Sequence, residues 1–387
     1  MSDRHLDASQ AWLGDSVKIA INASIVEPFL SGLGIYTVHL TQELVKMHDN
    51  VAVYTAFPRL CGVSARYCRA VTWRVQPSYG SLGHLLRLAW LQTVLPVRLL
   101  ADRASVLLSP VPEGLLLPVI PQVLVVHDVL PLHFPAEYPR QQYYFRHLVP
   151  AALKRARLIV VVSENTRRDL STYYDIAQEK MRVVPNGVDA QRFRPGLTSL
   201  KAQRKYGLQS YLLFVGNLLP HKNLSTLLQA FAHIAGCFPH QLVIAGQKDP
   251  RYYPALAAQV QTLGLWGRVQ FLDYVAAGDL PALYAGADAC VLPSFYEGFG
   301  LPLLEAMACG TPVIASRTSS MPEVAGKAAL YFDPHDGYEM AQVLETVLGH
   351  ADRREAMRRQ GLAQAAQYSW SRTATVMLSI LQEVARR

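Results

Sequence analysis

Short runs of apolar, often β-branched residues alternate along this chain with longer amphipathic stretches. The short runs predict strands and the longer stretches predict helices, so the alternation favours an α/β fold with a parallel sheet covered by helices. Strands are expected near Lys18–Ala23, Val51–Phe57, Val106–Ser109, Val123–His127 and Leu158–Val162 in the first half, and near Leu212–Gly216, Leu242–Gly246, Val269–Leu272, Ala289–Pro293, Val313–Ala315 and Ala329–Phe332 in the second.

The chain has 387 residues, which is too many for one ordinary core and suits two domains. Residues 183–196 interrupt the alternation with Pro, Asn and Gly, which mark turns. We place the boundary just after this stretch, so that the predicted domains are 1–197 and 198–369.

The segment Gly80–Arg103 mixes Leu and Trp side chains with basic ones such as Arg87 and Arg98. A basic amphipathic helix that carries Trp is typical of segments lying on an anionic membrane surface. A helix packed on the domain core shows a similar pattern, so both interpretations stay open. No run reaches about 18 apolar residues, which argues against a transmembrane helix.

The formal net charge is +8, and most of this excess lies in the first 200 residues. Nucleic acid, an anionic membrane or a phosphorylated ligand would each suit it. No helix-turn-helix, zinc-binding or aromatic RNA-binding signature is present, which disfavours nucleic acid. Five scattered cysteines argue against a disulfide framework or a zinc site and fit a reducing cytoplasm. The charged start Met1–Asp7 does not resemble a signal peptide.

Two segments of the first half follow predicted strands and are candidates for ligand contact. Ser31–Tyr36 carries Gly34 ahead of a predicted helix, where free backbone N–H groups bind phosphate, although an ordinary strand-to-helix turn has the same composition. His127 and Asp128 end an apolar strand, and ligands of open parallel sheets gather at such ends. His127 either contacts a ligand or simply packs there.

The second half contains the stronger candidates. Lys222 is a fixed positive charge at a loop-to-helix junction, which suits a diphosphate leaving group as well as an ordinary surface position. Glu297 lies in a Gly-rich loop, and Glu305 lies about two turns into an otherwise apolar helix. That helix start offers N–H donors to an anion. A buried Glu305 needs a partner, for which a ribose diol is suitable, whereas a solvated helix edge would need none.

Together these segments closely resemble the large family four of retaining glycosyltransferases, across essentially the whole chain. The most specific element is a pair of glutamates separated by seven residues, filled here by Glu297 and Glu305. The resemblance implies a GT-B fold: two Rossmann-like domains facing each other across a deep cleft, with a last helix, about 370–387, crossing back to the first. The other matching segments are the Gly34 loop, His127–Asp128, Ser163–Thr166, Pro185–Asp189, Lys222 and Tyr368–Trp370.

The resemblance also implies individual roles toward a nucleotide-sugar donor. Glu297 would contact the sugar hydroxyls, Glu305 the ribose, and Lys222 the diphosphate. His127 would touch the sugar from the first domain, so His127, Lys222 and Glu297 are the expected catalytic residues. The expected donor-binding residues are Gly34, Asn217, His221, Lys222, Tyr274, Val275, Glu297, Gly298, Phe299, Gly300, Leu301 and Glu305.

One departure from the family pattern concerns charge. Many relatives have Arg after the glycine that matches Gly216, and a second basic residue before the lysine, whereas this chain has Asn217 and His221. Less fixed positive charge would then face the leaving group, and His221 is expected to titrate near neutral pH.

The expected reaction is transfer of a hexose with retention at the anomeric carbon, the leaving diphosphate helping to deprotonate the acceptor. No Asp-x-Asp motif occurs, so neither a metal nor another cofactor is expected. UDP-glucose is the first choice of donor and GDP-mannose the alternative. The acceptor is expected to be a saccharide or lipid-linked, in envelope or exopolysaccharide synthesis on the inner face of the cytoplasmic membrane. An epimerase, a phosphorylase and a non-catalytic sugar-nucleotide sensor are the competing functions.

Overall fold

The structure, a computed structural model, describes residues 17–28, 31–75 and 79–386. The N-terminal stretch Met1–Asp7 lies outside these residues. Contacts divide the chain into two compact units. The first contains the described residues through His133, Tyr138–Gly187 and the chain from Trp370 onward, and the second contains Phe134–Glu137 and Val188–Ser369.

Within the described residues, seven parallel strands form the sheet of the first unit in the order β3-β2-β1-β4-β5-β6-β7. The strand order reverses between β1 and β4, as in doubly wound folds. Most of these strands are completely buried because helices cover both faces of the sheet. The strands are β1 Ile19–Asn22, β2 Val51–Thr55, β3 Cys68–Ala70, β4 Val106–Ser109, β5 Gln122–Val126, β6 Leu158–Val161 and β7 Met181–Val183.

The helices Gly80–Ala101, Val149–Arg155 and Glu164–Tyr174 bury apolar side chains against this sheet. Ser31 and Ser163 each cap a helix of this unit, and the Ser163 hydroxyl accepts from the N–H of Thr166. The helices of the first unit are α1 Gly32–Met47, α2 Pro58–Cys61, α3 Gly80–Ala101, α4 Leu130–His133, α5 Gln141–Tyr143, a π-turn at Tyr144–Leu148, α6 Val149–Arg155, α7 Glu164–Tyr174 and, after the second unit, α16 Trp370–Arg386.

Helix α3 has two apolar faces. Leu91, Leu95 and Leu99 are fully buried in the core. The opposite face exposes large apolar side chains to solvent. Arg87, expected among the surface bases, is instead buried and holds Glu113 at 2.6 Å. Among the described residues, no helix has the length and hydropathy needed to cross a bilayer. The exposed apolar residues of the outer face are Leu82, Leu85, Leu86, Val97 and Leu100.

Six parallel strands, again within the described residues, form the sheet of the second unit in the order β10-β9-β8-β11-β12-β13. The strands are β8 Tyr211–Val215, β9 Gln241–Ala245, β10 Val269–Asp273, β11 Ala289–Leu292, β12 Val313–Ser316 and β13 Ala329–Phe332. The helices are α8 Leu200–Tyr206, α9 Leu224–Ile234, α10 Tyr253–Thr262, α11 Leu280–Gly286, α12 Leu301–Ala308, α13 Met321–Ala325, α14 Gly337–Gly349 and α15 Ala351–Ala365.

The two sheets confirm the predicted α/β class with two Rossmann-like domains; that these face each other across a cleft stays a prediction. Every expected strand is present within two residues at either end. The edge strands β3 and β7 were missed because they are three residues long and carry Arg69 and Arg182 at their centres. The division falls at Gly187, ten residues before the expected boundary, because Phe193 packs on Tyr284 of the second unit.

Candidate active site

The centre of the candidate site is an ion pair between Lys222 and Glu297. Strands β8 and β11 are neighbours in the sheet, so the segments that follow their carboxyl ends meet at the same edge. Lys222 ends a 3₁₀ turn after β8, and its Nζ donates to both oxygens of Glu297 at 2.7 and 2.9 Å. Both side chains are less than one-fifth exposed. The pair therefore combines a cation with a shielded acceptor of hydroxyl groups.

Backbone hydrogen bonds hold these two loops together. The N–H of Phe295 donates to the carbonyl of His221 at 2.8 Å. Asn223, with φ of 58°, donates its side-chain amide to the carbonyls of Pro293 and Pro334. Asn is one of the few residues that adopt this left-handed conformation readily. Lys222 and Glu297 are thus aligned by the main chain and not merely by their mutual attraction.

Glu297 is fixed from several directions. Its Oε1 accepts from Ser294 Oγ at 2.6 Å, its N–H donates to Ser319 Oγ, and its carbonyl accepts from Ser320 Oγ. Burial alone would raise the pKa of this carboxyl, but the charge of Lys222 and the hydrogen bonds from Lys222 and Ser294 outweigh it. The pKa of Glu297 therefore lies below its usual value, and the group is ionised at neutral pH.

Glu305 lies in a different environment, inside helix α12. Gly300 precedes this helix with φ of 89° and has no side chain, so in the described part of the chain no cap side chain occupies the N–H groups of the first turn, including that of Leu301. Glu305 Oε2 accepts from the hydroxyl of the fully buried Tyr284 at 2.9 Å. Burial raises the pKa of Glu305 to about 6, although Tyr284 and the charge of Arg192 oppose this shift. Glu305 is half-buried and its carboxylate is held by Tyr284, so it does not lie on a fully solvated helix edge.

The structure corrects the expectation for His221. Its ring is buried, with Nδ1 at 2.6 Å from Glu137 Oε2, and its backbone N–H donates to Oε1 of the same carboxylate. Burial and the nearby Lys222 charge lower its pKa below the ordinary value, although the Glu137 carboxylate opposes this shift. The ring anchors the turn before Lys222, and its direct contact with a donor stays a prediction.

The remaining predicted residues of the second unit surround this edge of the sheet. Asn217 is exposed directly after β8. Tyr274 and Val275 follow β10, and the Tyr274 ring is 69% exposed. Gly298 and Phe299 are buried in the loop before α12, with the Phe299 ring 6.0 Å from that of Tyr368. None of these contacts tests their predicted roles.

The first unit holds Gly34 and His127. The N–H of Gly34 donates to Ser31 Oγ at 3.3 Å, so this group already has an acceptor in the helix cap. His127 Nε2 lies 2.8 Å from the carbonyl of Pro110, which makes Nε2 the protonated nitrogen and leaves Nδ1 as an acceptor. Burial lowers the pKa of His127 to about 4, so the ring is neutral at physiological pH.

His127 is also packed tightly. Its ring stands edge-on to that of Tyr36 at 4.5 Å, and its carbonyl accepts from Thr166 Oγ1. The Ser163–Thr166 motif therefore has a structural role, since it caps α7 and fixes the backbone of His127.

Sequence reasoning missed the residues that orient the site: Tyr284, Ser294 and Glu137. Each lies in a different segment from the group it holds or is a common residue without a motif, so spacing provided no signal. The role of Asn223 could have been predicted from the sequence, because an Asn directly before a helix often marks a left-handed turn.

Comparison with known families agrees with this geometry. Residues 30–192 match the profile described as Glycosyltransferase Family 4, and residues 198–364 match that of glycosyl transferases group 1. The chain is 33% identical over 260 residues to O-antigen chain mannosyltransferase B of Escherichia coli, covering 65% of this chain and 68% of that protein.

This chain belongs to glycosyltransferase family 4.

Further matches agree. An O-antigen chain mannosyltransferase of Salmonella typhimurium is 33% identical over 215 residues, covering 56% of this chain and 57% of its own length. The solved sucrose-phosphate synthase of Thermosynechococcus elongatus superposes with a TM-score of 0.78 at 20% identity, covering 95% and 99% of the two chains. The similarity to the sucrose-phosphate synthase structure shows the GT-B fold. As a family 4 member, the chain is a glycosyltransferase.

Proposed function

We propose that this glycosyltransferase moves mannose from GDP-mannose to a saccharide or lipid-linked acceptor, with retention, in envelope or exopolysaccharide synthesis. The observation that carries the proposal is the Lys222–Glu297 pair at the sheet edge, near the uncapped start of α12. The similarity to two O-antigen chain mannosyltransferases supports mannose over the UDP-glucose that the sequence favoured.

In the proposed reaction, the bond between the anomeric carbon and the diphosphate oxygen breaks while the acceptor oxygen bonds to the same face. The acceptor proton passes to the departing diphosphate. Lys222 and the open N–H of Leu301 stabilise the charge on this leaving group. Glu297 orients the sugar hydroxyls, Glu305 the ribose, and the neutral His127 accepts a sugar hydroxyl at Nδ1. No enzyme carboxylate needs to act as a nucleophile.

A thermal-shift panel with GDP-mannose, UDP-glucose, GDP and UDP tests the donor, because a ligand of the native state raises the melting temperature. GDP-mannose is expected to give the largest shift. A larger shift with UDP-glucose would overturn the mannose assignment. GDP-mannose should also be hydrolysed slowly without acceptor, whereas tight binding without hydrolysis or transfer would identify a sensor.

We also propose that catalysis needs no divalent metal, since Lys222 and the helix start would neutralise the diphosphate. Activity after EDTA treatment and gel filtration is expected to stay within about twofold of the untreated enzyme, compared with the roughly hundredfold effects of losing a charge-stabilising group. Loss of activity in EDTA that added Mg²⁺ or Mn²⁺ restores would contradict this.

The outer face of α3 supports a proposal about location. Leu82, Leu85 and Leu86 are each more than one-third exposed, and Val97 and Leu100 extend the same face over a helix of 22 residues. An apolar helix face of this extent on a unit rich in basic residues is suited to an anionic membrane surface. A lipid-linked acceptor would be found there.

Vesicle co-sedimentation tests this proposal. The protein is expected to bind vesicles that contain anionic lipid, and the double variant Leu85→Ser/Leu86→Ser is expected to bind about tenfold less. Leu200→Ser is the matched control, because Leu200 is 59% exposed in the second unit. Equal binding of all three proteins, or no binding by the unaltered protein, would remove the membrane assignment.

A further inference from the structure

Glu305 has one carboxylate oxygen tied to the protein and one that is not. Oε2 accepts from the Tyr284 hydroxyl at 2.9 Å. Among the described residues, Oε1 has no hydrogen-bond donor. A carboxylate held in this way presents a single fixed oxygen to a ligand, and its position depends on where the Tyr284 hydroxyl lies.

Tyr284 itself is held rigidly by residues from distant segments. The Thr311 hydroxyl donates to its backbone carbonyl at 2.6 Å. Phe193, from the segment that joins the two units in sequence, packs edge-on to its ring with centroids 6.0 Å apart. The ring is fully buried. The hydroxyl of Tyr284 therefore has little freedom to turn away from Glu305.

Arg192 supplies the only cationic influence on Glu305 found among the described residues. Its guanidinium lies over the Phe193 ring and donates to the carbonyl of Ala277, in the loop between β10 and α11. The other ionisable neighbours of Glu305 are Cys290 in β11 and Cys309 after α12. Glu305 and burial raise the pKa of both thiols, so neither thiol is charged at physiological pH.

We propose that Tyr284, assisted by Arg192, is the positioning residue that keeps Glu305 ionised and aimed at the donor ribose, and so sets the lowest pH at which the donor binds. The proposal rests on the proposed function, in which Glu305 is the ribose contact. A protonated Glu305 would accept less well from ribose hydroxyls. Donor affinity should therefore fall as the pH drops through the pKa of Glu305, about 6. Removal of either stabilising neighbour should move that fall to a higher pH.

The experiment measures the dissociation constants of GDP-mannose and UDP-glucose by calorimetry from pH 5 to 8.5. The nucleotide sugar is preferred to the free diphosphate, because a terminal phosphate titrates near pH 6 and would obscure the effect. The variants are Tyr284→Phe and Arg192→Gln. Tyr331→Phe is the matched control, since its hydroxyl donates to the carbonyl of Gly326 and is not among the groups that act on Glu305.

In the unaltered protein and in Tyr331→Phe, affinity should fall about tenfold below a midpoint near pH 6. In Tyr284→Phe the midpoint should rise by about one pH unit, and in Arg192→Gln by about half a unit, in accordance with a charge-assisted hydrogen bond and a more distant charge. If Tyr284→Phe fails to melt cooperatively, Arg192→Gln carries the test, because it leaves the core intact.

Donor binding and the positioning of Glu305 are tested by different outcomes. If the unaltered protein binds neither nucleotide sugar at pH 8, the proposed function is wrong. If it binds GDP-mannose while the midpoints of Tyr284→Phe and Arg192→Gln coincide with that of the control, the positioning role is wrong and the proposed function stands.

Discussion

The loop that carries Glu297 and the helix that carries Glu305 place two identical side chains, eight positions apart, in opposite electrostatic environments. Glu297 is paired with Lys222 at 2.7 Å, and its pKa lies below the usual value. Among the described residues, Glu305 has only the neutral Tyr284 as a direct partner, and its pKa is raised to about 6. Burial acts in the same direction on both, so the difference comes from the neighbours. The ion pair with Lys222 stabilises the ionised form of Glu297. Ionised Glu305 has no such partner and lowers the stability of the folded state.

The largest expected effect comes from removing the cation of the first environment. In Lys222→Met, Glu297 stays shielded without a counter-charge, and the leaving group loses its stabilisation. The turnover number should fall by about 100-fold or more, and the free energy of unfolding should drop by about 3 kcal/mol. Steady-state kinetics and denaturant unfolding measure the two quantities.

The double variant Lys222→Met/Glu297→Gln should recover most of that stability and none of the activity. Lys205→Met is the matched control, since the pair of Lys205 with Asp279 is more exposed and is worth little. A Lys222→Met enzyme with near-normal turnover would show that the ion pair is purely structural.

The next largest effect, a loss of catalytic efficiency, is expected from displacing the loop that carries Lys222. A Cβ at Gly246 would lie 1.8 Å from the carbonyl oxygen of Gly216, which begins that loop. Gly246→Ala must therefore displace the backbone that carries Lys222, and catalytic efficiency should fall by about tenfold to 100-fold. Gly236→Ala is the control, because its Cβ would meet nothing within 4 Å.

Gly246→Ala also tests whether Glu297 and Glu305 are positioned independently. The pH midpoint of donor binding should stay near 6, because Tyr284 and Glu305 lie outside the displaced segment. Full activity in Gly246→Ala, or a shifted midpoint, would show that the two carboxylates are not positioned independently.

The smallest expected effect is the change in stability when either glutamate is replaced by glutamine. The sign of this change differs between Glu297 and Glu305. The folded pKa of Glu305 exceeds the ordinary 4.5, so the folded state binds a proton more tightly and the free energy of unfolding falls as the pH rises from 4.5 through 6. Glu305→Gln should therefore raise stability at pH 8 by about 2 kcal/mol, with no gain below pH 4.5, while weakening donor binding about tenfold.

Glu297→Gln is the natural comparison. The depressed pKa of Glu297 contributes stability that is fully present above pH 4.5 and is lost as the pH falls through the lower folded value. This variant should therefore be less stable than the unaltered protein at pH 8 and approach it in acid. Thermal unfolding at pH 8, pH 4.5 and about pH 3 checks both variants, because the Glu297 contribution is lost only below pH 4.5. Shifts of the same sign at pH 8 would contradict the contrast between the two sites.

The sequence by itself determined eleven of the thirteen strands found among the described residues, the presence of two α/β units and the family. Central strands such as Val123–Val126 are buried on both faces, so their apolar runs are unmistakable. The glutamate pair was also visible, because the loop and helix that carry both residues form one continuous segment. Local pattern is sufficient where neighbours in sequence are neighbours in space.

Only the tertiary structure decided what each group touches. Lys222 and Glu297 are 75 residues apart, His221 and Glu137 are 84 apart, and Tyr284 and Glu305 are 21 apart. The first pair forms because neighbouring parallel strands bring distant segments to one edge of a sheet. The second forms because Phe134–Glu137 packs within the second unit, although its neighbours in sequence belong to the first. The third joins two helices of the second unit. The charge state of a buried group depends on such partners and on lost water, neither of which sequence spacing records. For this reason Glu297 is an ionised partner of Lys222, whereas Glu305 has a raised pKa and loses its proton less readily.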